Sequence, residues 1–239
     1  MFNGYGFGYG YYSTDQLYLF GLIILAVVGM IASSRVQSAF RKYSSLPASC
    51  GLTAAETARR LLLNGGSNAQ LQRVSGALTD HYDPRNNTVG LSEAVYDQSS
   101  VSALAVAAHE IGHVMQYQEG YGPIKLRNAV LPVARLSSTV APWLVLLGVF
   151  MGSYPLATFG AVLFAAILLF QVATLPVEFN ASRRAIAMLT EGGYLSSREE
   201  EQAAKKVLKA AAMTYVVAAL STFLTFLRLL SLSNRARRR

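Results

Sequence analysis

The sequence predicts a mainly α integral membrane protein with about four transmembrane helices, a membrane-proximal catalytic region and a small β-hairpin. Three observations carry that prediction. Of 239 residues, 52% are hydrophobic and only 14% charged, and the mean hydropathy is +0.32, outside the usual composition of a soluble domain. Four stretches stay apolar over the ~20 residues that a helix rising ~1.5 Å per residue needs to cross a ~30 Å hydrocarbon core. Between the first and second of them, residues 109–113 read His-Glu-Ile-Gly-His inside the Ala-rich run from Val101 to Gln116.

Each element follows in chain order. Residues 1–16 are a Gly/Tyr-rich, low-complexity tail expected to be poorly ordered. Residues 17–34 form the first span, with Arg35 just beyond it. The tail carries no Lys or Arg, and no small-x-small cleavage site follows a short apolar core, so the span reads as a retained anchor rather than a signal peptide. The polar region 35–135 opens with Thr53-Ala-Ala-Glu56, a capping box for a helix through Leu63 that Asn64-Gly-Gly66 stops. Gln72–Ser75 and Thr88–Ser92 read as short strands, which makes 72–92 an expected hairpin, with Leu78–Pro84 and Arg85–Asn87 as turns. Ser99 or Ser100 caps the motif helix, and Glu119-Gly-Tyr-Gly-Pro123 ends it.

Residues 136–177 hold two apolar segments, read as a helical hairpin turning at Gly152-Ser-Tyr-Pro155. Residues 178–209 return to polar, membrane-proximal character, 210–232 form the last span, and 233–239 are a basic tail. The run Arg235-Ala-Arg-Arg-Arg239 suits lipid headgroups rather than nucleic acid. The single cysteine, Cys50, excludes an internal disulfide and a thiolate zinc site.

The H-E-x-x-H spacing has a direct chemical meaning. Positions i and i+4 share one helical face, so His109 and His113 can aim two imidazoles at one Zn²⁺. Glu110, on the flank of that face, is placed to take a proton from a water and pass it to a leaving amine. A catalytic zinc also needs a third protein ligand and an open position. His81 and a downstream carboxylate are the choices. Glu178, in Pro176-Val-Glu-Phe-Asn-Ala-Ser-Arg-Arg-Ala185, sits where the third span leaves the membrane, an expensive place for a carboxylate without a partner. An ion pair with Arg183 or Arg184 is the competing account of Glu178. Ser182, at i+4 from Glu178, can support the site with its hydroxyl. For the carbonyl oxyanion the candidates are His81, Tyr82, Arg183 and Arg184, with His81 equally well explained as a local turn residue. Val89, Gly90 and Leu91 are expected to offer a strand edge on which an extended substrate pairs.

At these residues the chain resembles a family. His-Glu-Ile-Gly-His-Val-Met-Gln, preceded by Leu-Thr-Asp-His-Tyr-Asp-Pro and followed by Leu-Pro-Val-Glu-Phe-Asn-Ala-Ser-Arg-Arg-Ala, looks like the bacterial neutral zinc metallopeptidases of the YugP type. More distantly it is similar to the CAAX prenyl proteases and the bacterial heat-shock membrane proteases. There, an E-x-x-x-D pattern on a later helix supplies the third ligand. The resemblance therefore implies a zincin-like (gluzincin) region with one Zn²⁺ per chain, Glu178 as third ligand and peptide-bond hydrolysis. Ser182 stands where that pattern has Asp.

The leading functional expectation is a zinc endopeptidase of the bacterial inner membrane, acting on membrane or membrane-proximal proteins. The alternatives are an inactive metal-binding scaffold and a small transporter. Glu110 argues against the scaffold, and the position of the histidines outside the apolar spans argues against the transporter. With four spans, residues 35–133 and 178–209 share one side, which carries Arg35, Arg41, Lys42, Arg183, Arg184, Lys205, Lys206 and Lys209. The positive-inside rule puts that side, and the site, in the cytoplasm, although it leaves the terminal arginines opposite.

Overall fold

The structure, a computed structural model, describes residues 9–236. Six helices and one small sheet are formed among them: α1 (Tyr9–Ser44), α2 (Ala54–Asn64), β1 (Gln70–Val74), β2 (His81–Asp83), β3 (Thr88–Ser92), α3 (Val101–Gln118), α4 (Gly122–Phe150), α5 (Tyr154–Glu191) and α6 (Arg198–Ala236). Four of the helices, α1, α4, α5 and α6, are long and apolar enough to cross a membrane. Each is longer than the expected span because the helical backbone continues into polar sequence beyond it. Helix α1 already begins at Tyr9, inside the expected 1–16 tail, and α6 runs through most of the basic tail. Residues 1–8 and 237–239 lie outside the described residues.

The chain divides into two compact units. One comprises residues up to Ile31, Arg127–Val172 and Tyr215 onward. Here α4 and α5 turn back at Gly152-Ser153, as the Gly-Ser-Tyr-Pro sequence predicts. Small residues let them touch: a Cβ on Gly148 would lie 2.3 Å from the Ala157 backbone nitrogen. Ala141, Val145, Ala161, Phe164 and Leu229 form the buried cluster of this unit.

The other unit, Ala32–Leu126 with Ala173–Thr214, has its own larger core. Within it, α2 starts on the predicted capping box: Thr53 accepts from the Glu56 amide, and the Glu56 carboxylate takes the Thr53 amide at 2.8 Å. Gly65 and Gly66 end it, the latter at φ +62°. Helix α3 is capped by Ser100, whose hydroxyl accepts from the Ala103 amide. Ala103, Ala105, Ala107 and Ala108 are buried along α3, which lets neighbouring elements approach its axis closely, while Leu104 and Ile111 fill the remaining space. Burying each of those two is worth about 1.5–3 kcal/mol.

The sheet differs from the expected single hairpin. Its order is β1-β3-β2, with β1 parallel to β3 and β2 antiparallel to it. The hairpin exists, but between β2 and β3. The segment from Leu78 to Pro84, expected as a turn, carries β2, while Arg85–Asn87 is the turn that closes the hairpin, held by Asp83, which accepts from the Arg85 amide and guanidinium. Asp80 clamps the far end, accepting from the Ser92 amide at 2.8 Å and its hydroxyl at 3.0 Å.

Candidate metal centre

His109 and His113 project from successive turns of α3 with ring centroids 4.8 Å apart and planes at 85°. Helix α5 brings Glu178 to them. Its Oε2 lies 3.3 Å from His109 Nε2 and 3.7 Å from His113 Nε2, and Glu178 is only 4% exposed. The close approach depends on Gly112, one of the two unspecified positions of the motif. A Cβ there would lie 2.7 Å from the Ala181 carbonyl oxygen and 3.2 Å from its Cα, so α3 and α5 meet backbone to backbone one turn from the ligands.

The three ligand atoms lie within 4.8 Å of one another. Zinc bonds of about 2.0–2.2 Å at tetrahedral angles place donor atoms about 3.3–3.6 Å apart, close to the two carboxylate–imidazole distances. Two imidazoles and one carboxylate, leaving a fourth position, is the donor set of a catalytic rather than a structural zinc. The electrostatics agree. Burial opposes a charged His113, yet the hydrogen bond and charge of Glu178 and the charge of Glu110 prevail and raise its pKa, so this site draws positive charge.

The outward ring nitrogens are occupied, which frees both Nε2 atoms for a metal. His113 Nδ1 lies 2.9 Å from Gln116 Oε1. Gln116 is fully buried, and its Nε2 donates to the Val177 carbonyl at 2.8 Å and to Asn180 Oδ1 at 2.9 Å. Those two acceptors fix the amide so that its oxygen must face the imidazole, and Nδ1 must carry the proton. Ser182 Oγ lies 3.3 Å from His109 Nδ1.

Glu110 flanks the triad at 8% exposure and accepts no hydrogen bond among the described residues. Burial pushes its carboxyl above the ordinary range, His109 and His113 pull it back in part, and Asp80 and Glu178 add to the rise.

A family model described as "Putative neutral zinc metallopeptidase" matches residues 18–234. The chain belongs to this family. The "Putative membrane protease YugP" of Bacillus subtilis (strain 168) is 47% identical over 213 residues, covering 88% of this chain and 94% of that protein. No solved structure matches. Membership and the four long apolar helices together make the chain a membrane protein of the neutral zinc metallopeptidase family.

The other residues singled out in this family member fall differently. Arg184 is paired away from the triad: its terminal nitrogens grip the Glu119 carboxylate at 2.6 Å each and its Nε donates to Asn180 Oδ1 at 2.7 Å. It is the outer end of a chain running through Asn180 and Gln116 to His113. That pairing also means that Glu178 is not engaged by Arg184, and Arg183 is exposed. The Tyr82 hydroxyl donates to Asn87, and its ring packs edge-on against Tyr117 at 5.5 Å. His81 places Nδ1 2.9 Å from the Thr79 carbonyl, the local turn contact, and its ring lies across Gly90, where a Cβ would be 2.7 Å from Cε1. The expectation that Val89, Gly90 and Leu91 offer a strand edge does not hold. They belong to the central strand, paired on both sides, and Val89 and Leu91 are completely buried. The open edges of the sheet are those of β1 and β2.

Three residues escape a motif-based reading: Gln116, Asn180 and Asp80. Gln116 follows His113 by three positions and shares its face, a signal available in the sequence. Asn180 and Asp80 act through contacts that no local spacing announces.

Proposed function

We propose that the protein is a membrane-anchored zinc endopeptidase that cuts membrane or membrane-proximal proteins, with Glu110 as general base and one Zn²⁺ held by His109, His113 and Glu178. The observation that carries this reading is Glu110 itself. A buried carboxylate without a hydrogen bond is costly, and a purely structural site has no use for one beside its ligands. Zinc, when bound, supplies Lewis acidity to the attacking water and the scissile carbonyl.

The chain's own residues do the rest. Gln116 and Ser182 hold the two imidazoles with Nε2 forward. A Glu110 carboxylate oxygen takes the proton from the attacking water and returns it to the nitrogen of the departing amine. Burial raises the proton affinity of Glu110, which strengthens it as a base for the first transfer.

The test compares wild-type protein with Glu110→Gln in detergent or nanodiscs, measuring zinc content and cleavage of a casein-type or membrane-tethered peptide. Positioned proton transfer is worth about 10²–10⁴-fold in rate, so the variant keeps its zinc and loses that much hydrolysis. Hydrolysis at the wild-type rate refutes the role, and hydrolysis in neither protein favours the inactive scaffold. The charges flanking the first span support a site on the cytoplasmic face of the bacterial inner membrane. A reporter fused at residue 60 that is active only outside the cytoplasm overturns that orientation.

A further inference from the structure

Beside the metal centre, α5 and α6 enclose a groove of about 600 Å³ that the peptidase reading does not use. Its floor is apolar: Phe179, Ile186, Leu208 and Ala212. Three cations rim it, Arg183 from α5 and Lys205 and Lys209 from α6, all exposed. Lys205 is shared with Glu201, but Arg183 and Lys209 have no ion-pair partner among the described residues. No carboxylate lines the groove.

We propose that this groove is a seat for one anionic phospholipid, its phosphate on Arg183, Lys205 and Lys209 and an acyl chain along the apolar floor. Two arguments select a lipid. The first is placement along the chain. Phe179 follows the apolar run of α5 by two residues, and Lys209 and Ala212 flank the start of the apolar run of α6, so the cations belong to the juxtamembrane stretch where anionic headgroups concentrate. The second argument separates this groove from a substrate subsite. Among the described lining residues, Ser182 is the one hydrogen-bonded to the metal centre, its hydroxyl meeting His109 at Nδ1, the ring nitrogen facing away from the triad. A peptide must approach on the Nε2 side. An occupant here sits behind the imidazole instead, against the residue that orients it.

The pairing of charges fits the same occupant. A phosphate diester carries one negative charge and spare acceptor oxygens, enough for the two unpaired cations, and it can compete with Glu201 for Lys205. Each cation near an anionic headgroup contributes roughly a fivefold gain in affinity, so removing three costs about a hundredfold.

The experiment uses the full chain purified in detergent. Native mass spectrometry reads its complexes with dioleoylphosphatidylglycerol, with dioleoylphosphatidylcholine and with inorganic phosphate. The expected result is one tightly retained phosphatidylglycerol, no comparable phosphatidylcholine adduct and no displacement by millimolar phosphate. The variant Arg183→Gln/Lys205→Gln/Lys209→Gln loses that lipid by about a hundredfold. The variant Arg35→Gln/Arg41→Gln/Lys42→Gln, with the same change of charge in another juxtamembrane stretch, keeps it. Phe179→Asp, at a side chain already 46% exposed and so of little consequence for folding, weakens binding through the floor. Equal retention of the two lipids, or undiminished retention by the first triple variant, overturns the proposal. Complete displacement by inorganic phosphate reassigns the cations to a free phosphoryl anion. Equal loss in both triple variants shows only a diffuse charge effect and also overturns it.

Discussion

Gly112 sits between the catalytic pair of the motif and the second histidine, and replacing it with alanine tests how the site is assembled. The added methyl would stand 2.7 Å from the Ala181 carbonyl oxygen, whereas ordinary contact begins at about 3.4 Å. The obstacle is backbone, so no rotamer change relieves it, and α5 must retreat from α3 by about 0.7 Å. Glu178 stands one turn from Ala181 on the same helix and retreats with it. Its Oε2 is 3.3 and 3.7 Å from the two imidazole nitrogens. Zinc sites tolerate distance errors of about 0.2 Å, so a displacement three times larger weakens the carboxylate bond. Disturbing the support of a ligand typically lowers metal affinity about 10–100-fold, and overpacking of this kind costs about 1–3 kcal/mol of stability. Competition with a fluorescent chelator measures the affinity, and melting in excess EDTA measures the fold without metal. Wild-type zinc affinity in Gly112→Ala at an unchanged metal-free melting temperature would refute the argument that backbone contact sets the ligand geometry.

Other outcomes follow from the same geometry. Glu178→Ala removes the third donor, and zinc content measured by atomic emission falls sharply; full stoichiometry in that variant moves the third ligand elsewhere. Gln116→Leu keeps the volume but leaves His113 Nδ1 without its acceptor, which lowers zinc affinity about 10–100-fold while Glu110 is untouched. For Asp80, burial holds the carboxyl above its ordinary range despite the hydrogen bonds from Ser92. The folded state therefore binds that proton more tightly than the unfolded one. The resulting stabilisation is complete below the unfolded pKa and is lost as pH rises through the folded value. Denaturation of wild type and Asp80→Asn across about pH 4 to 7 should show the wild type losing ground to the variant as pH rises, and parallel curves would contradict it.

Much of the site is legible in the sequence because its chemistry is local. The i,i+4 histidines, the Glu between them and the capping signals of α2 and α3 all act within a turn or two of helix, where spacing determines geometry. Glu178 is legible for another reason: a carboxylate at the end of an apolar run needs an explanation. The sheet is not legible in the same way. Thr88–Ser92 shows strand character, but whether it is an edge or a centre depends on β1 reaching it in parallel from across the intervening loop. The same holds for Arg184, whose guanidinium finds Glu119 across 65 positions. From sequence, an Arg two turns beyond a ligand looks available for catalysis; in the fold it is already spent.

The metal centre also carries a consequence for how the protein is made. Its two histidines lie on α3, and its carboxylate lies on α5, beyond the helical turn at Gly152; Ser182 and His109 meet across 73 positions. Translation at about 5–20 residues per second separates those ends by several seconds. During that interval the emerging polypeptide holds Glu110 and the two imidazoles but not the Glu178 carboxylate. A nascent chain thus lacks the complete set of three candidate ligands by its own order of synthesis, and His109, His113 and Glu178 can meet only once both intervening apolar segments have left the ribosome.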